Sequence, residues 1–152
     1  PAAGIQRYLC GTPPVLSLAA LECGVDSVLA AQRLGGMAAL RDKSMALTDL
    51  FVALVDLRCE GHGLTVVSPR EAAVRGSQAS LARTDAAAYP IVQALIARGV
   101  IGDFRAPDVL RFGFAPLYLR FVDVWDAVEQ LVQVLQSGQW EEARFQQQAA
   151  VT

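Results

Sequence analysis

Seven large apolar side chains between Phe121 and Leu135 constrain this chain more than any other feature. Phe121, Val124, Trp125, Val128, Leu131, Val132 and Leu135 fall at i, i+3, i+4, i+7, i+10, i+11 and i+14. This is the repeat of an α-helix with one apolar stripe. A strand, whose faces alternate at every residue, does not produce it. Gly138 supplies the stop. Upstream lies a different pattern, Val109–Ala115, VLRFGFA. As a strand it puts Leu110, Phe112 and Phe114 on one face, suited to a core. Val109, Arg111, Gly113 and Ala115 form the other face, where a long cation stands beside two positions with almost no side chain.

The remaining segments surround these two. Residues 5–10, IQRYLC, read as short and extended. In GTPP (11–14), Thr12 suits a helix N-cap and Pro13 a first helical position, which predicts a helix over about 13–32. Its residues are apolar nearly all round, which predicts deep burial. LGG (34–36) breaks the chain and marks a hinge or boundary between 1–36 and 37–152. Leu40, Leu47, Leu50, Phe51, Leu54 and Leu57 recur at helical spacing across 37–59. EGHG (60–63) is a turn, LTVVS (64–68) and SQASLA (77–82) are strands, and 87–98 is a helix closed by Gly99. VIGDF (100–104) is a short strand before VLRFGFA, and QWEEARFQQQAA (139–150) a short polar helix. The order helix, helix, strand, strand, helix, strand, strand, helix, helix predicts an α+β fold. Its sheet is small, mostly antiparallel and covered by helices on one side.

Composition narrows the function. A net charge of −2, with the arginines scattered, leaves no basic footprint for nucleic acid. No uninterrupted apolar run approaches the ~18 residues of a membrane span. The mean hydropathy of +0.34 therefore assigns the excess apolar residues to a core or to another protein surface. Cys10, Cys23 and Cys59 are odd in number and show no ligand spacing. They read as reduced, small buried residues of a cytosolic protein, not as a disulfide framework or a metal site. The chain begins at Pro1 with no signal-peptide pattern and reads as a piece of something longer.

Few residues offer chemistry. His62, the single histidine, sits between glycines without a Ser or Cys partner, and no phosphate-binding glycine loop occurs. Lys43, the single lysine, lies at the edge of an apolar stripe. Desolvated there it would be reactive. The spacing favours a lysine that buries its methylenes and keeps its ammonium in water. Arg111 is the stronger candidate, because its planar fork binds a carboxylate through two parallel hydrogen bonds and Gly113 and Ala115 leave room for a ligand. The alternative is a structural ion pair with Asp103 or Asp108. Thr12 either caps its helix or lends its hydroxyl to a phosphate at the helix N-terminus. RGSQ (75–78) reads as a glycine turn into a strand.

RYLCGTPPVLSLAALECG (7–24), LRDKSMALTDLF (40–51), SPREAAVRGSQASL (68–81) and RGVIGDFRAPDVLRFGFAPLYLRFVDVWDAV (98–128) resemble the C-terminal part of bacterial kynureninases. The resemblance covers nearly the whole chain, in the family's order. SVLAAQRLGG (27–36) is its least similar stretch. It implies a homodimeric, pyridoxal-phosphate-dependent enzyme of fold type I, the aminotransferase-like fold, hydrolysing L-kynurenine to anthranilate and L-alanine. Such enzymes serve tryptophan catabolism and NAD biosynthesis in the cytoplasm. Residues 37–152 would be the small C-terminal domain, and the helix at 13–32 its connector to a large domain. By the match, Arg111 in LRFGF holds the substrate α-carboxylate. Thr12 in GTPP reaches the cofactor phosphate across the dimer interface, and Gly11 lets the backbone come close.

The Schiff-base lysine and the ring-nitrogen partner of this family lie in the large domain, and Lys43 matches a small-domain helix instead. The resemblance thus implies no catalytic residue and no metal ligand in this chain. The cofactor would be anchored mainly by the N-terminal large domain, in the same or a separate chain. Alone the chain is expected to be inactive, and neither nucleic acid nor a membrane is an expected partner. Two other readings are an isolated, non-catalytic small domain and the same part of a related fold type I aminotransferase or desulfurase. RFGFAPLYLRF does not favour the latter.

Overall fold

The computed structural model describes residues 2–147. The chain divides into two compact units, Pro1–Leu40 and Arg41–Thr152.

In the N-terminal unit a 3-10 turn, Gly4–Tyr8, precedes helix α1, Val15–Ala30, and a second 3-10 turn, Ala31–Leu34, follows it. Residues 5–8 of IQRYLC are thus coiled, not extended, while Leu9 keeps an extended backbone. Among the described residues no strand pairs with this segment, and its backbone closes locally, as in the Leu9 N–H to Gln6 carbonyl bond of 3.1 Å. The α1 N-cap is Pro14, not Thr12, and no side chain caps it. The cause is the double proline. A residue before proline is pushed out of the α region, so Pro13 cannot start the helix. Deep burial is overturned too: no α1 residue is buried, and Leu16 is 87% exposed. Apolar residues spread all round a helix need covering surfaces on every side, and the described residues of this unit include no second long helix or sheet to provide them.

The stretch Val15–Leu34 is long and apolar enough, by length and composition, to cross a membrane. Counting uninterrupted runs overlooks it because Glu22 and Asp26 interrupt the apolar sequence. Those same groups oppose insertion, since an acidic residue at the bilayer centre costs about 2.5–3.5 kcal/mol. Beyond the 3-10 turn, Gly35 adopts φ 101°, and a Cβ there would meet the Ala39 Cβ at 2.9 Å. Only glycine fits both demands.

Helix α2, Gly36–Arg58, leads into the C-terminal unit. Strands β1, Thr65–Val66, and β2, Gln78–Ala82, are followed by helix α3, Ala88–Ala97. Strands β3, Asp103–Arg105, and β4, Val109–Gly113, precede helix α4, Phe121–Ser137, and the short α5, Ala143–Gln146. This is the expected order. VIGDF is displaced as a strand because Gly99 and Val100 close α3: their N–H groups bond the Ile96 and Leu95 carbonyls at 2.9 Å. A 3-10 turn, Gln139–Glu141, and α5 replace the single C-terminal helix, and positions 148–150 of that expected helix lie outside the described residues.

The sheet is antiparallel in the order β1-β2-β4-β3. Its register aligns Leu81, Leu110 and Phe104 on one face and Ser80, Arg111 and Asp103 on the other. Ala79, Leu81, Leu110, Phe112 and Phe114 are buried. Phe51 of α2 packs between Phe112 and Phe114, with ring centroids 5.1 and 5.0 Å away. Helix α3 lies against β3, β4 and α4. The α4 stripe buries Val124, Val128, Leu131, Val132 and Leu135, whereas Phe121 and Trp125 remain about half exposed. Trp125 instead stacks with Arg58, 5.1 Å from its centroid. The result is an α+β unit with helices on one face of the sheet and the other face open.

Phe51→Ala should remove about 3–5 kcal/mol of stability, the usual cost of emptying a packed aromatic site. Leu57→Ala, on the same helix but 77% exposed, should stay within about 0.5 kcal/mol. Urea unfolding followed by circular dichroism measures both. Equal losses would contradict the packing of α2 on β4.

Candidate functional site at the open sheet face

Strand β4 has a neighbour on each side, so Arg111 is flanked by Ser80 of β2 and Asp103 of β3. Its Nη2 donates to Asp103 Oδ2. Of the two carboxylates the sequence offered, the partner is therefore Asp103 and not Asp108. The same Oδ2 lies 3.0 Å from Arg105 Nη2. Two guanidinium groups share one carboxylate, leaving the cluster one net positive charge. Among the described residues Asp103 is the only partner of Arg111, and the rest of the fork has no acceptor. The Arg111 side chain is 30% exposed. A Cβ added at Gly113, two residues along the same face, would meet nothing within 4 Å. The gap is real and opens to solvent.

Gly113 and Phe114 also form a wall of a cavity of about 520 Å³ bounded by Val100, Leu119 and Asp123. Arg111 is not among its walls. Asp123 accepts the Arg120 backbone N–H at 2.7 Å and its guanidinium at 2.6 Å. The Arg120 hydrogen bond holds the Asp123 carboxyl below the usual carboxylate range. Asp85 is lowered in the same way by Arg83.

Lys43 is half-buried, and its Nζ donates to the Pro116 carbonyl at 2.8 Å. It ties α2 to the loop after β4, so the ammonium is neither free in water nor poised to react. RGSQ is more than a glycine turn. Arg75 is 3% exposed. Its Nη1 donates to the Pro69 and Arg70 carbonyls at 2.8 and 3.0 Å, and its Nη2 to Thr48 Oγ1 at 3.2 Å and to Asp49. The Ser77 and Ser44 hydroxyls meet at 2.6 Å. This anchor was missed from sequence. The available signal is Ser44 and Thr48, polar at i, i+4 beside Leu47 and Phe51.

Gly11 and Thr12 belong to the N-terminal unit, and both are exposed. Gly11 adopts φ 151°, a backbone that L side chains rarely take, and a Cβ there would meet nothing within 4 Å. With the N-cap at Pro14, the Thr12 hydroxyl has no hydrogen bond among the described residues. The capping alternative is thereby overturned.

Among the described residues no three His, Cys, Asp or Glu side chains gather as metal ligands. Cys10 and Cys23 are exposed, contrary to the buried reading, since they sit in the open N-terminal unit. Cys59 is buried, and desolvation pushes its thiol up to about 11. It is an inert core residue.

A family model described as the kynureninase C-terminal domain matches residues 40–131, which include Asp103, Arg105 and Arg111. The chain is 52% identical over its 152 residues to the kynureninase of Pseudomonas fluorescens. It is 53% identical to those of Burkholderia mallei (strain SAVP1) and Burkholderia pseudomallei (strain K96243). In each case all of this chain is covered, but only 35% of the relative. The chain thus spans about a third of the length of the curated relatives it matches.

Iodoacetamide at pH 8 should alkylate Cys10 and Cys23 and spare Cys59 until denaturant is added, as counted by mass spectrometry. The Cys59 thiol titrates at 9.0 when unperturbed and at about 11 in the fold. Its contribution to stability is therefore full below pH 9 and is lost as pH rises towards 11. Equal labelling of all three thiols in the native chain would contradict this.

Proposed function

The chain belongs to the kynureninase C-terminal domain family, and from that premise we propose that it forms the C-terminal part of a pyridoxal-phosphate-dependent hydrolase. The reaction is cleavage of L-kynurenine to anthranilate and L-alanine, in cytoplasmic tryptophan catabolism and NAD biosynthesis. The observation that supports this best is the state of Arg111. One nitrogen is occupied, the remaining fork is open, the local charge is positive, and Gly113 leaves space alongside. An amino-acid α-carboxylate satisfies all of these at once through a bidentate contact. Held by that end, the substrate has its reacting carbons fixed relative to the rest of the enzyme.

Thr12 and Gly11 would hold the cofactor phosphate in the assembled homodimer, through the free hydroxyl and a close backbone. Pyridoxal phosphate, when bound, supplies the electron sink for the bond cleavage. Lys43 is no substitute for the anchoring lysine, so the N-terminal large domain must provide it. That domain, in one subunit or the other, would also cover the apolar α1. The chain alone would be inactive. The partner molecule is a small amino acid, not a nucleic acid or a membrane.

In the complete enzyme, Arg111→Ala should remove about 2–4 kcal/mol of binding, a roughly 30- to 1,000-fold loss in kcat/KM for kynurenine carried mainly by KM. Gly113→Val should leave the unfolding midpoint nearly unchanged, because its side chain enters open space, yet raise KM by filling the substrate's place. Wild-type kinetics in either variant would sink the corresponding assignment.

A further inference from the structure

We propose that Asp103 is a positioning residue, aiming the Arg111 guanidinium at the substrate carboxylate, and that Arg105 keeps this arrangement cationic. The inference rests on the reading of Arg111 as the carboxylate holder. Antiparallel register places Asp103 directly opposite Arg111, on the same face of the sheet. Asp103 engages a single nitrogen of Arg111, Nη2, through a single oxygen, Oδ2. That fixes the orientation of a long, flexible side chain without consuming its fork. A carboxylate meeting both fork nitrogens would instead leave little for a ligand.

Arg105 explains why the buttress does not cancel the site. Residues 103 and 105 share one face of β3, and Arg105 pairs with the same Oδ2. Were Asp103 paired with Arg111 alone, the two would be neutral, and an incoming carboxylate would meet a competing anion at no electrostatic gain. With Arg105 attached, part of the Asp103 charge is already spent, and the cluster stays at one net positive charge. Both residues lie on an edge strand, with Asp103 half-buried and Arg105 exposed. Neither contributes to the hydrophobic core.

The opposite role is a placeholder, an internal carboxylate that the substrate expels. The two roles differ in sign. In the complete enzyme with kynurenine, Asp103→Ala should raise KM by roughly tenfold, the scale of one charge-assisted contact, with kcat held within about twofold. Asp103→Asn, which keeps an oxygen acceptor, should recover part of that loss. Arg105→Ala should raise KM as well, since Asp103 then neutralises Arg111. Inhibition by a kynurenine analogue lacking the α-carboxylate should not change in any of the three. A fall in KM for Asp103→Ala would make Asp103 a competitor and overturn the proposal. So would an unchanged KM, or an equal loss of affinity for the carboxylate-free analogue, which marks a general structural defect. Arg111→Ala in the same assay separates the two layers. If it has no effect, the carboxylate reading itself fails. If it is impaired while all Asp103 and Arg105 variants are normal, only the positioning role fails.

Discussion

The packing of Phe51 between Phe112 and Phe114 decides which way strand β4 faces, and the candidate site depends on that. Side chains of a strand alternate, so burying Leu110 and Phe112 obliges Arg111 and Gly113 to face outward. A slip of one residue would push a guanidinium into an apolar core and the phenyl rings into water. Neither is tolerable at the scale of a domain's net stability, about 5–15 kcal/mol. The open face is thus held by hydrophobic contacts on the face opposite, with Ser80 and Asp103 brought beside Arg111 by the register of β2 and β3.

Polar anchors then fix the segments that the core leaves free. Arg75 gathers two carbonyls from the 69–70 loop and two side chains of α2, which sets where β2 begins. Lys43 does the same on the next turn of α2 for the loop after β4, through Pro116. The two cations inside α2's contacts are therefore structural, and the functional candidate is Arg111, part-buried on the open face and met among the described residues only by Asp103. Burial separates these roles better than residue type does, with Arg75 3% exposed and the Arg111 side chain 30% exposed.

Much of this was legible in the sequence. The helices with clean periodicity, α2 and α4, and the alternating β4 follow from the spacing of large apolar residues. Arg111 beside Gly113 was visible as a cation next to a gap, and its ion-pair partner was one of two named carboxylates. What was not legible depended on context that a local pattern lacks. The Pro13–Pro14 pair delays α1 and frees Thr12. The closure of α3 absorbs Val100. The exposure of α1 reflects how little covering surface the described residues of its own unit offer, which composition cannot report. Arg75 joins elements 26 residues apart, at Asp49, and only the folded chain reveals the pairing.

The most direct measurement is a crystal structure of the complete enzyme with a non-reacting amino acid that carries the α-carboxylate of kynurenine. We expect both carboxylate oxygens at charge-assisted hydrogen-bond distance from the Arg111 fork, about 2.7–2.9 Å, in the space beside Gly113, with Asp103 still on Nη2. A carboxylate held by another cation, with Arg111 engaged by Asp103 alone, would contradict the assignment on which the rest stands.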